Sequence, residues 1–363
     1  MKKAYSADKI FTGDSWVYDS AVIIEHDAVA TVVPLHSLPG DISVIQHASI
    51  LTAAFIDIQI YGASSRLFSA YPLADTLHKM KEHCDKGGTK YFLPTIATNT
   101  TDIFKKGIDA VKEYWKNDGT GVPGLHIEGP WINKEKRGAH IESMIHAPQI
   151  DEVKELLEYG KAVIKMITLA PEICSEEIVD LIRSYGVIVS AGHSNATYSE
   201  ALNAFKKDIH VATHLFNAMS GLHHRQPGLA AAIMMNPPVM VSIVADGYHV
   251  DFAMISLAKK IMGDRLFLIT DAVTETYEGP YQHERSGDKY LSDDILSGSS
   301  LTMIKAVKNC VDKCGIPLEE AFRMASLYPA KVLHLDNKTG KIEPGFKADL
   351  VLLDEELEII CCV

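Results

Sequence analysis

Between residues 55 and 270 the chain repeats one device eight times: a short apolar run, followed in most repeats by an amphipathic helical stretch. The runs span residues 55–60, 91–97, 124–127, 164–169, 187–190, 211–214, 240–245 and 266–270, and helix-period stretches fall at 151–158, 176–185, 199–205 and 251–261. Brief apolar runs bounded by turn formers read as strands buried on both faces, and strands alternating with helices imply a parallel sheet. Eight such units over roughly 280 residues match the α/β class, a (β/α)8 TIM-like barrel, better than an open doubly wound sheet. No Gly-x-Gly-x-x-Gly follows the first run and no Gly-x4-Gly-Lys-Ser/Thr occurs, which removes the main support for dinucleotide and P-loop readings.

The two ends have a different character. Alternating β-prone runs at 20–25, 28–33 and 42–45 are separated by Thr12-Gly13-Asp14 and by Leu38-Pro39-Gly40-Asp41, and residues 340–354 resemble them. Neither end is long enough to fold alone. They are expected to pair, residues 1–52 with 340–363, into a small β-sandwich, leaving 53–339 as the barrel; a chain of 363 residues accommodates one barrel plus an appendage.

Charge narrows the partners. A formal net charge of −12 argues against wrapping nucleic acid, whose phosphates are bound by Lys and Arg, but leaves room for a phosphorylated small molecule. The polar N-terminus lacks a signal-peptide h-region and no run approaches the ~18 apolar residues of a membrane span, so a cytoplasmic chain without a membrane partner is expected. Cys84, Cys174, Cys310, Cys314, Cys361 and Cys362 are irregularly spaced, which favours reduced thiols over a disulfide framework or a zinc ribbon.

In barrels of this kind chemistry sits at the C-terminal ends of the strands. Polar residues fall there in series: Asp57-Ile-Gln59-Ile-Tyr61 on the first, His126-Ile-Glu128 on the third, His193-Ser194 after the fifth, His214 and Asn217 after the sixth, Asp246 and His249 after the seventh, Asp271 after the eighth. Glu128, His193 and His214 offer the carboxylate and imidazole donors of a catalytic zinc-type site, and Asp271 is the carboxylate left for proton transfer.

The strings Ala191-Gly-His-Ser-Asn-Ala-Thr-Tyr198, Thr213-His-Leu-Phe-Asn-Ala-Met219, Arg225-Gln-Pro-Gly-Leu229, Ala245-Asp-Gly-Tyr-His-Val-Asp251, Thr270-Asp-Ala-Val273 and Leu296-Ser-Gly-Ser-Ser-Leu-Thr-Met303 run through most of the chain in order. With His126-Ile-Glu-Gly-Pro-Trp131 and Leu327-Tyr-Pro-Ala330, they closely resemble the N-acetylglucosamine-6-phosphate deacetylase family of the amidohydrolase superfamily. The resemblance implies Glu128, His193 and His214 as ligands of one divalent metal per subunit, zinc first, with iron, cobalt or manganese as alternatives. It implies Asp271 as the catalytic base and acid, taking a proton from metal-activated water and returning it to the amine. Substrate contacts are implied for Ala139, His140, Asn217, Ala218, Arg225, His249, Leu296, Ser297 and Gly298. A homodimer, with Arg225 serving the neighbouring site, follows by the same resemblance.

Some positions depart from the superfamily. Gln59-Ile60-Tyr61 stands where many members carry a His-x-His for a second metal, so one metal is expected. The stretch 51–55 reads as a loop change, and the chain stops soon after Leu357, where the family usually adds a strand. Residues 274–295 read as a solvated acidic loop or a lid, the adjacent His223 and His224 as loop hydrogen-bonders, and Trp131 as packing; His26, His36, His47, His78, His83, His146, His210, His283 and His334 are assigned to structure. Alternatives to the gluco substrate are the galacto epimer, a cyclic-amide hydrolase and a non-catalytic sugar-phosphate sensor.

Overall fold

A computed structural model describes residues 2–363. Eight strands, Phe55–Ile60, Thr89–Ala97, Leu125–Glu128, Ile164–Leu169, Ile188–Ala191, Val211–Ala212, Met240–Val244 and Leu266–Ile269, lie side by side in chain order, each parallel to the next. The first and eighth meet at their C-terminal ends, where Ile60 bridges Ala272 and the Asp271 amide donates to the Gln59 carbonyl at 3.0 Å. Asp57 fastens this seam from below: its Oδ1 accepts from the Gln59 and Thr270 amides, both at 3.2 Å, and its Oδ2 accepts from the Thr270 hydroxyl.

Every residue of Phe55–Ile60 is buried, although Asp57 and Gln59 alternate with Ile56, Ile58 and Ile60; both polar side chains are hydrogen-bonded. The outer helices read differently. In Thr101–Lys116, Phe104, Ile108 and Val111 recur at helical spacing and face the barrel, while the Thr100 hydroxyl accepts from the Ile103 amide as the N-cap. Burial of each such side chain is worth about 1.5–3 kcal/mol. Helix Tyr198–Phe205 begins with a reciprocal capping box between Thr197 and Glu200, which fixes where the chain leaves the His193 loop.

The chain ends form one six-stranded sheet: Ile359–Cys362, Leu350–Leu353, Val44–Ala53, Lys3–Phe11, Trp16–Glu25 and Ala28–Pro34 in spatial order. It folds back on itself into a small sandwich. Val29, on the last strand of the sheet, exchanges backbone bonds with the segment just before Leu350–Leu353 (Val29 N to Phe346 O at 2.8 Å, Gly345 N to Val29 O at 2.9 Å), enclosing Val22, Ile24, Leu51, Leu350 and Leu352. Ile359–Cys362, pairing antiparallel with Leu350–Leu353, supplies an outer strand from the last residues of the chain.

Two expectations need correction, and one strand was not expected. Residues 51–53 are not a loop change but the end of strand Val44–Ala53, with only Ala54 before the first barrel strand. Strand Lys3–Phe11 was not legible as an apolar run because the exposed Asp8 and Lys9 interrupt it. The stretch 274–295 is no simple solvated loop. It leads into a three-stranded antiparallel sheet, Glu284–Ser286, Lys289–Ser292 and Ile295–Ser299, that buries Tyr281, His283 and Tyr290. Among the described residues, no helix is long and apolar enough to cross a membrane.

Candidate active site

The C-terminal ends of the barrel strands open into a cavity of about 170 Å³. Glu128 ends the third strand, whereas His193, His214 and Asp271 each come two residues after their strand closes. All three take left-handed backbone, with φ of 47°, 40° and 53°. A non-glycine residue held there is strained, and such strain gathers where a site needs a side chain aimed off the regular strand direction.

Glu128 Oε1, His193 Nε2 and His214 Nε2 lie 3.1, 3.1 and 3.4 Å from one another. Ligands about 2.0–2.1 Å from a tetrahedral ion stand about 3.3 Å apart, so this triangle has the size a tetrahedral cation requires. His140 also comes close, its Nε2 lying 3.3 Å from Glu128 Oε2, and Glu128, His140 and His193 hold ligand atoms within 4.8 Å of one another. Protonation separates the two neighbouring imidazoles. His193 Nδ1 faces the Lys136 carbonyl at 2.9 Å and must donate to it, leaving the Nε2 lone pair for the centre. His140 Nδ1 meets the Thr98 amide at 3.4 Å and hydroxyl at 2.7 Å; accepting from that amide leaves the proton on Nε2, a donor rather than a ligand. His214 Nδ1 is buried without a partner.

The electrostatics follow the crowding. Burial pushes the Glu128 carboxyl up, but the facing His193, His140 and His214 imidazoles outweigh it and hold it well below the usual carboxylate range. Burial raises the Asp271 carboxyl, with His214 and His249 opposing. His140 is lowered to about 4 by burial and by His193, so its ring is neutral near pH 7.

Gln59 and Tyr61 occupy the ground between the two carboxylates. Gln59 Nε2 lies 2.9 Å from Asp271 Oδ1, 3.1 Å from Glu128 Oε1 and 2.8 Å from the Tyr61 hydroxyl, which itself donates to Glu128 Oε2. Neutral donors thus stand where a second cation would otherwise sit between the same oxygens. On the other side Asp246 grips His249: Oδ1 accepts from the Tyr248 and His249 amides, each at 2.8 Å, and Oδ2 pairs with His249 Nδ1 at 2.5 Å. His249 Nε2 is then 3.9 Å from Asp271 Oδ2.

Ala139, His140, Asn217, Ala218, His249, Leu296, Ser297 and Gly298 line the cavity with Glu128, His193, His214 and Asp271. Arg225 does not; it is exposed on its loop beside His223. The lining also contains Tyr61, Tyr281 and His283. His283, assigned to structure from the sequence, is corrected to a cavity residue. Its one sequence signal was the alternation of Tyr281 and His283 between Gly279-Pro280 and Gly287, the mark of a short strand in an acidic stretch.

A closed eight-stranded barrel with a carboxylate–imidazole triangle at its mouth, and a separate buried carboxylate on the eighth strand, defines a barrel hydrolase of the metal-dependent kind. Residues 50–360 match the Amidohydrolase family, and the chain belongs to it. It is 34% identical to the N-acetylglucosamine-6-phosphate deacetylase of Haemophilus influenzae, over 99% of this chain and 97% of that protein. It is 30% identical to the N-acetylgalactosamine-6-phosphate deacetylase of Escherichia coli, over 99% and 97%. The crystal structure of N-acetylglucosamine-6-phosphate deacetylase from Pasteurella multocida superposes with a TM-score of 0.95 at 33% identity, covering 100% of this chain and 98% of that one.

Proposed function

We propose that this chain hydrolyses the acetamide of N-acetyl-D-glucosamine 6-phosphate to D-glucosamine 6-phosphate and acetate. The observation that carries the reaction is the triangle of Glu128, His193 and His214 with Asp271 beside it, bridged to Glu128 by Gln59. The sugar phosphate is supported by the full-length likeness to the Haemophilus influenzae deacetylase. Glu128, His193 and His214 would hold one divalent ion, zinc first among the candidates because two imidazoles and a carboxylate suit it. That ion supplies Lewis acidity and makes water acidic near neutral pH.

The chain's own groups do the rest. Asp271, its carboxyl raised by burial, takes a proton from the attacking water and delivers it to the departing amine nitrogen. The His140 Nε2–H, its nitrogen 3.3 Å from Glu128 Oε2, stands beside the triangle, where it would stabilise the acetamide oxygen as that gains charge; Thr98 keeps it in that tautomer. Gln59 holds Asp271 in line and, with Tyr61, supports a one-metal reading. His249, oriented by Asp246, contacts substrate beside Asp271.

No Lys or Arg lines the cavity among the described residues, although a phosphate monoester calls for a cation. Exposed Arg225 supports the homodimer reading, in which it reaches the neighbouring site. We place the enzyme in the cytoplasm and divide it into residues 1–52 with 340–363 and a barrel of 53–339. The Escherichia coli relative favours the galacto epimer as a second substrate. Acetate release from both 6-phosphates and from the unphosphorylated sugar, with and without chelator, tests the reading. Turnover that ignores the chelator or the phosphate would overturn it.

A further inference from the structure

The sheet inserted after the eighth strand closes one wall of the cavity, and its contribution is specific. His283 and Thr276 exchange backbone bonds at 3.1 and 3.2 Å, so both the N–H and the C=O of His283 are held by one partner. Its ring lines the cavity, its Nδ1 lies 2.9 Å from Ser297 Oγ, and its Nε2 has no hydrogen-bond partner among the described residues. Tyr281 lies parallel to that ring, 6.3 Å away at 11°, and donates its hydroxyl to the Thr98 carbonyl at 2.7 Å. Thr98 is the residue that sets the His140 tautomer. The His283 wall and the His140 ring are thus registered through Thr98, which sets their separation.

We propose that His283, oriented by Ser297, reads a secondary ring hydroxyl of the amino sugar, at C3 or C4, and so acts as a specificity-determining residue; the proposal rests on the deacetylase reading. The chemistry fits a neutral hydroxyl and not the phosphate. Burial lowers the imidazole to about 4, so near neutral pH it carries no charge and presents one donor or one acceptor on Nε2, according to which way the Ser297 hydroxyl turns. A buried nitrogen that loses its hydroxyl partner is left unpaired, which is how such a contact discriminates between sugars.

The test is steady-state kinetics on the intact 6-phosphate and on its 3-deoxy and 4-deoxy analogues. His283→Phe keeps a flat ring against Tyr281 and removes both nitrogens. Its KM for the intact substrate should rise about tenfold, with the loss falling on KM rather than kcat. One of the two deoxy analogues should cost the wild-type chain a similar factor and cost His283→Phe nothing further. Ser297→Ala, which leaves the ring in place but frees Nδ1, should shift KM the same way by a smaller factor. An unchanged KM in His283→Phe, or equal losses on the intact substrate and both analogues, overturns the proposal while leaving the deacetylase reading intact. A wild-type chain that releases no acetate from the intact substrate removes both.

Discussion

Asp57 lies under the cavity, fully buried, and takes no part in the proposed chemistry. Burial pushes its carboxyl up to about 7, against the pull of the Thr270 hydroxyl and the Gln59 and Thr270 amides; the Asp271 charge adds to the rise. An unfolded Asp titrates near 3.9. Between about pH 4 and pH 7 the folded chain therefore holds a proton here that the unfolded chain has lost, and stability falls as pH rises through that window. The stabilisation is fully present below the unfolded value and is lost as pH passes the folded one. Roughly three pH units at 1.36 kcal/mol each amount to about 4 kcal/mol. Asp57→Asn removes the titration and keeps the geometry: its carbonyl oxygen still accepts both amides, and its NH2 faces the Thr270 hydroxyl, which turns to accept. That reversal costs about 1 kcal/mol. Urea unfolding of both proteins from pH 4 to pH 8 at constant ionic strength should show the wild type ahead at pH 4 and behind at pH 8, the curves crossing between. A stability difference that stays constant across this range would refute the reasoning.

The other expectations concern the cavity. Asp271→Asn should lower kcat by about 10²–10⁴-fold with bound metal unchanged on elemental analysis, and activity within tenfold of wild type would remove Asp271 from its role. Chelation should abolish acetate release, and one equivalent of a divalent ion should restore it; a requirement for two would contradict the neutral Gln59–Tyr61 pair as occupant of the second position. Arg225→Ala should raise KM for the phosphorylated sugar by about 10–100-fold, the worth of a charge-assisted contact, and leave the unphosphorylated sugar untouched. An equal loss on both sugars would detach Arg225 from the phosphate.

The barrel was legible because its strands are buried on both faces: the run read at 164–169 coincides with Ile164–Leu169, and 55–60 with Phe55–Ile60. The reactive residues were legible for a related reason, since a polar side chain at or just past the end of a buried apolar run falls at the mouth of the barrel. Contacts that exist only in three dimensions were hidden. No spacing links Gln59 to Asp271, and nothing in the sequence tells that His193 donates through Nδ1 to Lys136 while His140 accepts there from Thr98. His283 was masked by its setting, where Glu284, Asp288, Asp293 and Asp294 give the stretch the composition of a solvated loop although its alternate side chains turn inward.

Strand Val44–Ala53 is paired on one side with Lys3–Phe11 and on the other with Leu350–Leu353. On the ribosome the first partner is ready at once, whereas the second is made only after about 300 further residues, some 15–60 s later at ordinary rates of about 5–20 residues per second. Throughout that interval the nascent chain carries an open strand edge next to a growing barrel, the kind of surface that recruits another chain. Newly made protein should therefore be more vulnerable than the finished enzyme. A truncation that removes Leu350–Leu353 should produce a chain that aggregates during synthesis, even with every residue of the cavity still encoded.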